Sequence, residues 1–387
     1  MFNLFGIARK AVYRLAGIIA LFGLAACDAN FSPSALLPTK GTVQVALLVP
    51  YGSAAPGDAS LARSLENAAR LAAADLGGQT VEITVYPTAG LASQAAAATD
   101  KAIADGAQII LGPLRSDASN ASAVAARDDG VNVLSFSNNA AIAGGNLYVL
   151  GNTFDNISNR LMRYAAATGR NRLVVVHPNN TVGEIAKASI TRAASRSNVS
   201  LVGDGSFEFT NEGIVAAIPK IANSVNSTGA TGLMLTSDSA GALPLLAQLL
   251  PEQGVSPDVT KFMGLARWDV PPQNLNLPGL QGGWFALPDP SLTAQFNGRY
   301  QSRYGNAPHP LAGLAYDGIA AIGALANDER ALSAGNLTQR SGFAGVNGVF
   351  RFTPGGTIER ALAVAQVTNS QVQIIDPAPR TFGAGGS

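Results

Sequence analysis

The 387-residue chain has one cysteine, Cys27, which excludes an intramolecular disulfide framework and any multi-thiolate zinc or iron–sulfur site. Its two histidines, His177 and His309, have no metal-ligand neighbour at helical spacing, so neither a metal nor a cofactor is expected. Each reads as a strand-end or turn residue rather than a catalytic base. Charge is scarce as well: 13% of residues are Asp, Glu, Lys or Arg, against about 25% in an average domain. The formal net charge of +1 supplies no electrostatic footprint for nucleic acid. H-E-x-x-H, G-x-S-x-G, a Walker loop and a G-x-G-x-x-G after a strand are all missing. The paired acids Asp128-Asp129 and Asp328-Glu329 lie beside helix ends, where solvated charge is the default. Catalysis is therefore disfavoured and a non-enzymatic ligand or partner binder is expected.

What the chain does have is apolar content, 47% of residues, enough for two sizeable cores and far too much for disorder. The N-terminus carries Arg9, Lys10 and Arg14 without an acid, then an apolar stretch from Leu15 to Ala26. That is the layout of a secretory signal, shorter than the roughly 20 apolar residues a permanent span needs. It ends in Leu24-Ala25-Ala26-Cys27, which resembles the lipobox of bacterial lipoproteins. The resemblance implies a signal peptide over 1–26, lipid on Cys27 and a protein held at the cell envelope, facing the periplasm. Acyl chains gain about 0.8 kcal/mol per buried methylene, so two or three of them anchor a soluble domain. Residues 27–41, with Pro33 and Pro38, read as a flexible tether. Removal of the leader leaves 23 basic against 25 acidic residues, a formal −2.

From Thr42 onwards β-branched runs alternate with alanine-rich helical stretches, each pair taking about the 30 residues of a βαβ unit. The spacing predicts strands Thr42 to Val49, Val81 to Tyr86, Gln108 to Leu111 and Val131 to Ser135, with helices between them. A second series follows, with strands Arg172 to His177, Ser200 to Phe207, Gly232 to Thr236 and Lys261 to Gly264. Two such series predict an α/β protein of two Rossmann-like lobes with parallel sheets. The expected division is 42–150 plus 288–328 for the first lobe and 151–287 plus 329–376 for the second. Chain crossings are expected near Leu150, near Trp284 to Pro288 and near Ala326 to Gly335, and a disordered tail over 377–387.

The segments Leu111-Gly112-Pro113-Leu114-Arg115-Ser116 and Val131-Asn132-Val133-Leu134-Ser135-Phe136-Ser137 resemble the first lobe of type I periplasmic binding proteins, in their leucine/isoleucine/valine-binding branch. The resemblance implies a three-crossover hinge and a ligand cleft containing Ser116, Ser135, Ser137 and Asn138. Ser116 would start a helix whose amides and dipole face a ligand carboxylate; as a bare helix cap it would have no such role. The second lobe departs from the branch. Asn180-Thr181-Val182-Gly183-Glu184 lacks the usual aromatic, and Leu265-Ala266-Arg267-Trp268 stands where an acid often pairs with the ligand ammonium. Asp238 or Glu184 could substitute, while Arg267 and Trp268 suggest an altered ligand or a partner surface.

The C-terminal run Phe343-Ala344-Gly345-Val346-Asn347-Gly348-Val349-Phe350-Arg351-Phe352, followed by Gly356 and Glu359-Arg360, resembles the ending of penicillin-binding protein activator lipoproteins. That resemblance implies a partner role towards a peptidoglycan synthase. The alternative is the substrate-binding component of an ABC transporter, delivering amino acids or related small polar ligands to a permease.

Overall fold

A computed structural model describes residues 42–77, 81–326 and 332–382. The expected leader, Cys27 and the tether lie outside the described residues, as do 383–387 of the expected tail.

The largely apolar run of β1 (Val43–Val49) is buried at every position but Gln44, which suits a strand covered on both faces. It pairs in parallel with β2 (Val81–Pro87) on one side and β3 (Ile109–Leu111) on the other. Two further parallel strands, β4 (Asn132–Ser135) and β5 (Leu147–Val149), complete a sheet ordered β2-β1-β3-β4-β5. The connecting helices are α1 (Asp58–Asp75), α2 (Ala92–Ala104) and α3 (Ser116–Ala125). Helix α1 turns Leu61, Leu65, Ala68 and Ala72 inward at helical spacing.

After α4 (Phe154–Ala167) the pattern repeats with β6 (Arg172–Pro178), β7 (Ser200–Phe207), β8 (Gly232–Leu235), β9 (Lys261–Gly264) and β10 (Trp284–Leu287). They stand as β7-β6-β8-β9-β10, all parallel, which is the order of the first sheet strand for strand. Helices α5 (Thr181–Arg196), α6 (Asn211–Thr228) and α7 (Leu243–Glu252) link them. The stretch expected to be the second crossing is thus itself a strand, and the chain crosses just after it. Helices α8 (Pro290–Tyr304) and α9 (Ala312–Leu325) then return to the first core through Phe296, Tyr300, Ile319 and Ile322.

The C-terminal stretch differs most from expectation. A short helix, α10 (Ala334–Leu337), leads into an antiparallel three-stranded sheet of β11 (Phe343–Gly345), β12 (Gly348–Phe352) and β13 (Ile358–Arg360). Alternation along β12 puts Phe350 and Phe352 on one face, and that face needs an apolar partner. The first core supplies it: Phe343, Phe350, Phe352 and Ile358 join that cluster, with the Phe352 ring 5.4 Å from that of Tyr148. The stretch expected to belong wholly to the second lobe is therefore divided, and the third crossing falls at Arg360–Ala363 instead of 326–335. Beyond it, β14 (Ala363–Thr368) pairs antiparallel with β10 and with β15 (Gln371–Asp376). The second sheet is consequently mixed rather than purely parallel. Only Asn369 and Ser370 separate β14 from β15, both at positive φ, and a two-residue connection can join only antiparallel strands. Packing continues into the expected tail, where Ala378 meets the second core and the Phe382 ring lies 4.6 Å from the Arg351 guanidinium. Among the described residues no helix is long and apolar enough to cross a membrane.

Candidate ligand cleft

A cleft of about 710 Å³ opens where the strands of both lobes end. In a parallel α/β sheet the loops after the strands diverge at the point where the strand order reverses, and this leaves a crevice. Each wall is built from those loops. On the first lobe Leu114, Arg115 and Ser116 follow β3, Phe136, Ser137 and Asn138 follow β4, and Gly151 and Asn152 follow β5. On the second lobe Asp238 and Ser239 follow β8, Ala266 and Arg267 follow β9, and Pro288 follows β10. The volume suits a small molecule.

Ser116 is the first residue of α3, and the N-cap residue before it, Arg115, has no side-chain oxygen with which to cap the helix amides. Its hydroxyl does not cap the helix; it shares a 3.1 Å hydrogen bond with the Ser137 hydroxyl, so both oxygens sit together at the positive end of α3. Ser135 is fully buried behind them rather than in the cleft. Its Oγ accepts from the Ser137 amide at 3.0 Å and pairs with Ser119 Oγ at 2.7 Å, which locks the end of β4 to α3. Close approach at this junction also demands Gly112: it has φ +93°, and a Cβ there would sit 2.2 Å from the Leu48 carbonyl oxygen.

Two arginines reach the cleft and both are already paired. Arg115 Nη2 donates to Asp58 Oδ2 at 2.7 Å, and Arg267 holds Asp269 through two hydrogen bonds, the Nε–Oδ1 one at 2.9 Å. Burial pushes the Asp58 carboxyl up, but hydrogen bonds from Ser53 and Arg115 outweigh it and hold the group below its ordinary value of 3.8. A carboxyl depressed in the fold binds fewer protons than in the unfolded chain, so its contribution is present above pH 3.8 and is lost as pH falls through the folded value. The stability difference between the wild-type chain and Asp58→Asn is therefore expected to be full at pH 7 and to close on acidification below pH 4. Urea titrations at stepped pH measure it, and a difference that widens in acid would contradict the assignment.

Asp238 stands apart from these pairs. It is exposed, none of the described ion pairs involves it, and its Oδ1 accepts only the Ala240 amide at 3.2 Å. Glu184, the other acid considered, does not line the cleft; it lies 3.7 Å from His177 Nδ1. His177 is fully buried, with Nε2 2.9 Å from Asp204 Oδ1, and is likewise outside the cleft. Trp268 is the clearest departure. Its indole is fully buried in the second core, 5.8 Å from the Phe285 ring, in a slot left by Gly264 and Gly283. It is neither a ligand contact nor a partner surface.

Sequence reasoning missed Arg115, Asn152 and Asn347. Asn152 follows β5 as the other cleft residues follow their strands, and its buried Oδ1 has no hydrogen-bond partner. Asn347 comes from the β11–β12 turn, some 200 residues later, and no local signal marks it. No group of three or more metal-binding side chains is found among the described residues.

Two lobes of the same strand order, three chain crossings between them and a cleft at the strand ends are the layout of a bilobed binding-protein fold. Residues 42–371 match the family model "Periplasmic binding protein", and the chain belongs to that family. No curated protein matches the sequence. Among solved structures, a branched-chain amino acid ABC transporter protein from Rhodospirillum rubrum superposes with a TM-score of 0.73 at 18% identity, covering 87% of this chain and 100% of that one. An ABC transporter substrate-binding protein from Desulfitobacterium hafniense in complex with Leu gives 0.65 at 17%, covering 87% and 100%. A solute-binding protein from R. palustris in complex with benzoate gives 0.60 at 17%, covering 89% and 99%. At these identities the likeness is one of fold.

Proposed function

We propose that the protein is the solute-binding component of an ABC transporter and takes a small zwitterion of amino-acid type. The observation that carries this reading is the placement of an acid without an ion-pair partner, Asp238, on one wall, against paired hydroxyls at the start of α3 on the other. The helix end favours a carboxylate and the acid favours an ammonium. The bound Leu and benzoate of the two structural neighbours are both carboxylates, and only the first brings an ammonium. Ligand contact with both walls would shift the protein towards its closed form. The expected partner is a permease.

The experiment is a thermal-shift and calorimetric screen against the standard amino acids, with benzoate as the carboxylate lacking an ammonium. A ligand at 100 times its Kd adds about 2.7 kcal/mol of stability. At least one amino acid is expected to raise Tm by several degrees while benzoate does not. A flat screen sinks the transport reading and leaves the peptidoglycan-synthase partner as the one to pursue. The motif that suggested that partner is largely consumed by packing, since Phe343, Phe350 and Phe352 are buried in the first core. The reading also takes Cys27 as lipidated at the envelope. Intact mass of the membrane-extracted protein is expected to show loss of residues 1–26 and an acylated Cys27; an unmodified thiol would overturn it.

A further inference from the structure

The three crossings lie side by side, and the third is the middle one. Leu287, at the end of β10, pairs with Ala363, while the amide of Arg360 donates to Asn156 Oδ1 at 2.8 Å and Asn156 Nδ2 returns a bond to the Arg360 carbonyl at 3.2 Å. Asn156 belongs to the first turn of α4, the first element after the first crossing. The backbone of Arg360 is thus tied through both its amide and its carbonyl to Asn156 of the second lobe, and three residues on Ala363 joins the second sheet.

Its side chain points the other way. Nη1 donates to Asp317 Oδ2 at 2.6 Å, Nη2 reaches the Leu150 carbonyl at 3.4 Å, and the guanidinium lies 4.8 Å from the Phe350 ring centroid. Both side chains of the ion pair are fully buried. Asp317, on α9, spends its remaining capacity on the β11–β12 turn: Oδ1 accepts the Val346 amide at 2.7 Å and Oδ2 accepts Asn347 Nδ2 at 3.0 Å. Asn347 lines the cleft, and so do Gly151 and Asn152, the residues immediately after Leu150. A single planar fork therefore touches the first crossing, the first lobe and, through Asp317, a turn in the cleft.

We propose that Arg360 is the positioning residue of the cleft, fixing the resting angle between the lobes and the placement of the Asn347 turn and the Gly151-Asn152 segment. A lysine keeps the charge but has one nitrogen, which cannot hold Asp317 and Leu150 in a fixed plane together. The proposal takes the cleft as the ligand site, but its test is read without ligand, so a wrong ligand class leaves it standing.

The test is single-molecule energy transfer on the full chain. Donor and acceptor dyes are attached through unnatural amino acids at Val124 of the first lobe and Val259 of the second, both strongly exposed. The wild-type chain is expected to give one narrow efficiency population. Arg360→Lys is expected to broaden it at least twofold or to split it in two. Arg360→Met strands the Asp317 carboxylate, so the double variant Asp317→Leu/Arg360→Met, which buries no charge, is measured beside it and is expected to fold and to show the same broadening. A purely structural pair would lower stability while leaving the efficiency of folded molecules unchanged. Distributions superimposable on wild type for Arg360→Lys and the double variant would overturn the proposal.

Discussion

Asp317→Ala is expected to lower the free energy of unfolding by about 3–5 kcal/mol, the cost of leaving one member of a buried ion pair without the other. The carboxylate serves four donors at once: Arg360, the Val346 and Asn347 amides and Asn347 Nδ2. Truncation leaves a fully buried guanidinium facing a methyl group, and two turn amides lose their acceptor. Gly345 adds a geometric reason for tight coupling, because a Cβ there would lie 2.1 Å from Asp317 Oδ1. Equilibrium urea denaturation measures the loss. Removing both charges in Asp317→Leu/Arg360→Met is expected to cost much less than the single change, because no desolvated charge remains. A single-variant loss under about 1 kcal/mol would mean that water reaches the pair.

The second large effect is on binding. Asp238→Ala is expected to weaken the amino acid found by the screen by at least about 30-fold, corresponding to about 2 kcal/mol for truncating one side of a desolvated charge pair. Stability should hardly change, since Asp238 is exposed and gives up only one local hydrogen bond to Ala240. The separation of the two readouts is informative. Isothermal titration reports the affinity and thermal unfolding of the free protein reports the fold. Unchanged affinity would remove Asp238 from the ammonium site and with it the zwitterion.

The sequence was legible where local chemistry and topology agree. An apolar run such as Thr42 to Val49 has one stable use in an α/β chain, and repeated strand–helix pairs dictate where the sheet opens. Ser116, Ser137, Asn138, Asp238 and Arg267 were accessible to this reasoning because each lies within five residues after the end of a parallel strand, Ser116 also at a helix start, and all five line the cleft. The same rule applied to β5 would have found Asn152. Ser135 was misplaced because it is still within β4, where its hydroxyl bonds Ser119 and the Pro113 carbonyl, whereas Ser137 lies in the loop beyond the strand. Trp268 was misread by residue type. Indoles favour interfaces, but whether one is exposed here depends on Gly264 and Gly283, which leave the space it fills. Asn347 and the ion pair of Arg360 with Asp317 left no local trace, because they join residues 30 to 43 positions apart across a chain reversal.

The return of β11 to β13 to the first core has a consequence for the order in which the molecule can assemble. The first five strands leave the synthesis machinery early, yet Phe343, Phe350, Phe352 and Ile358 of their core emerge only near the end. Burial of that face must wait for them, so the second lobe's parallel strands can pair before the first lobe is finished. The contacts that close it span much of the chain, the kind that form slowly. A chain stopped before Phe343 would hold every strand of the first sheet and still lack the aromatic layer that covers it.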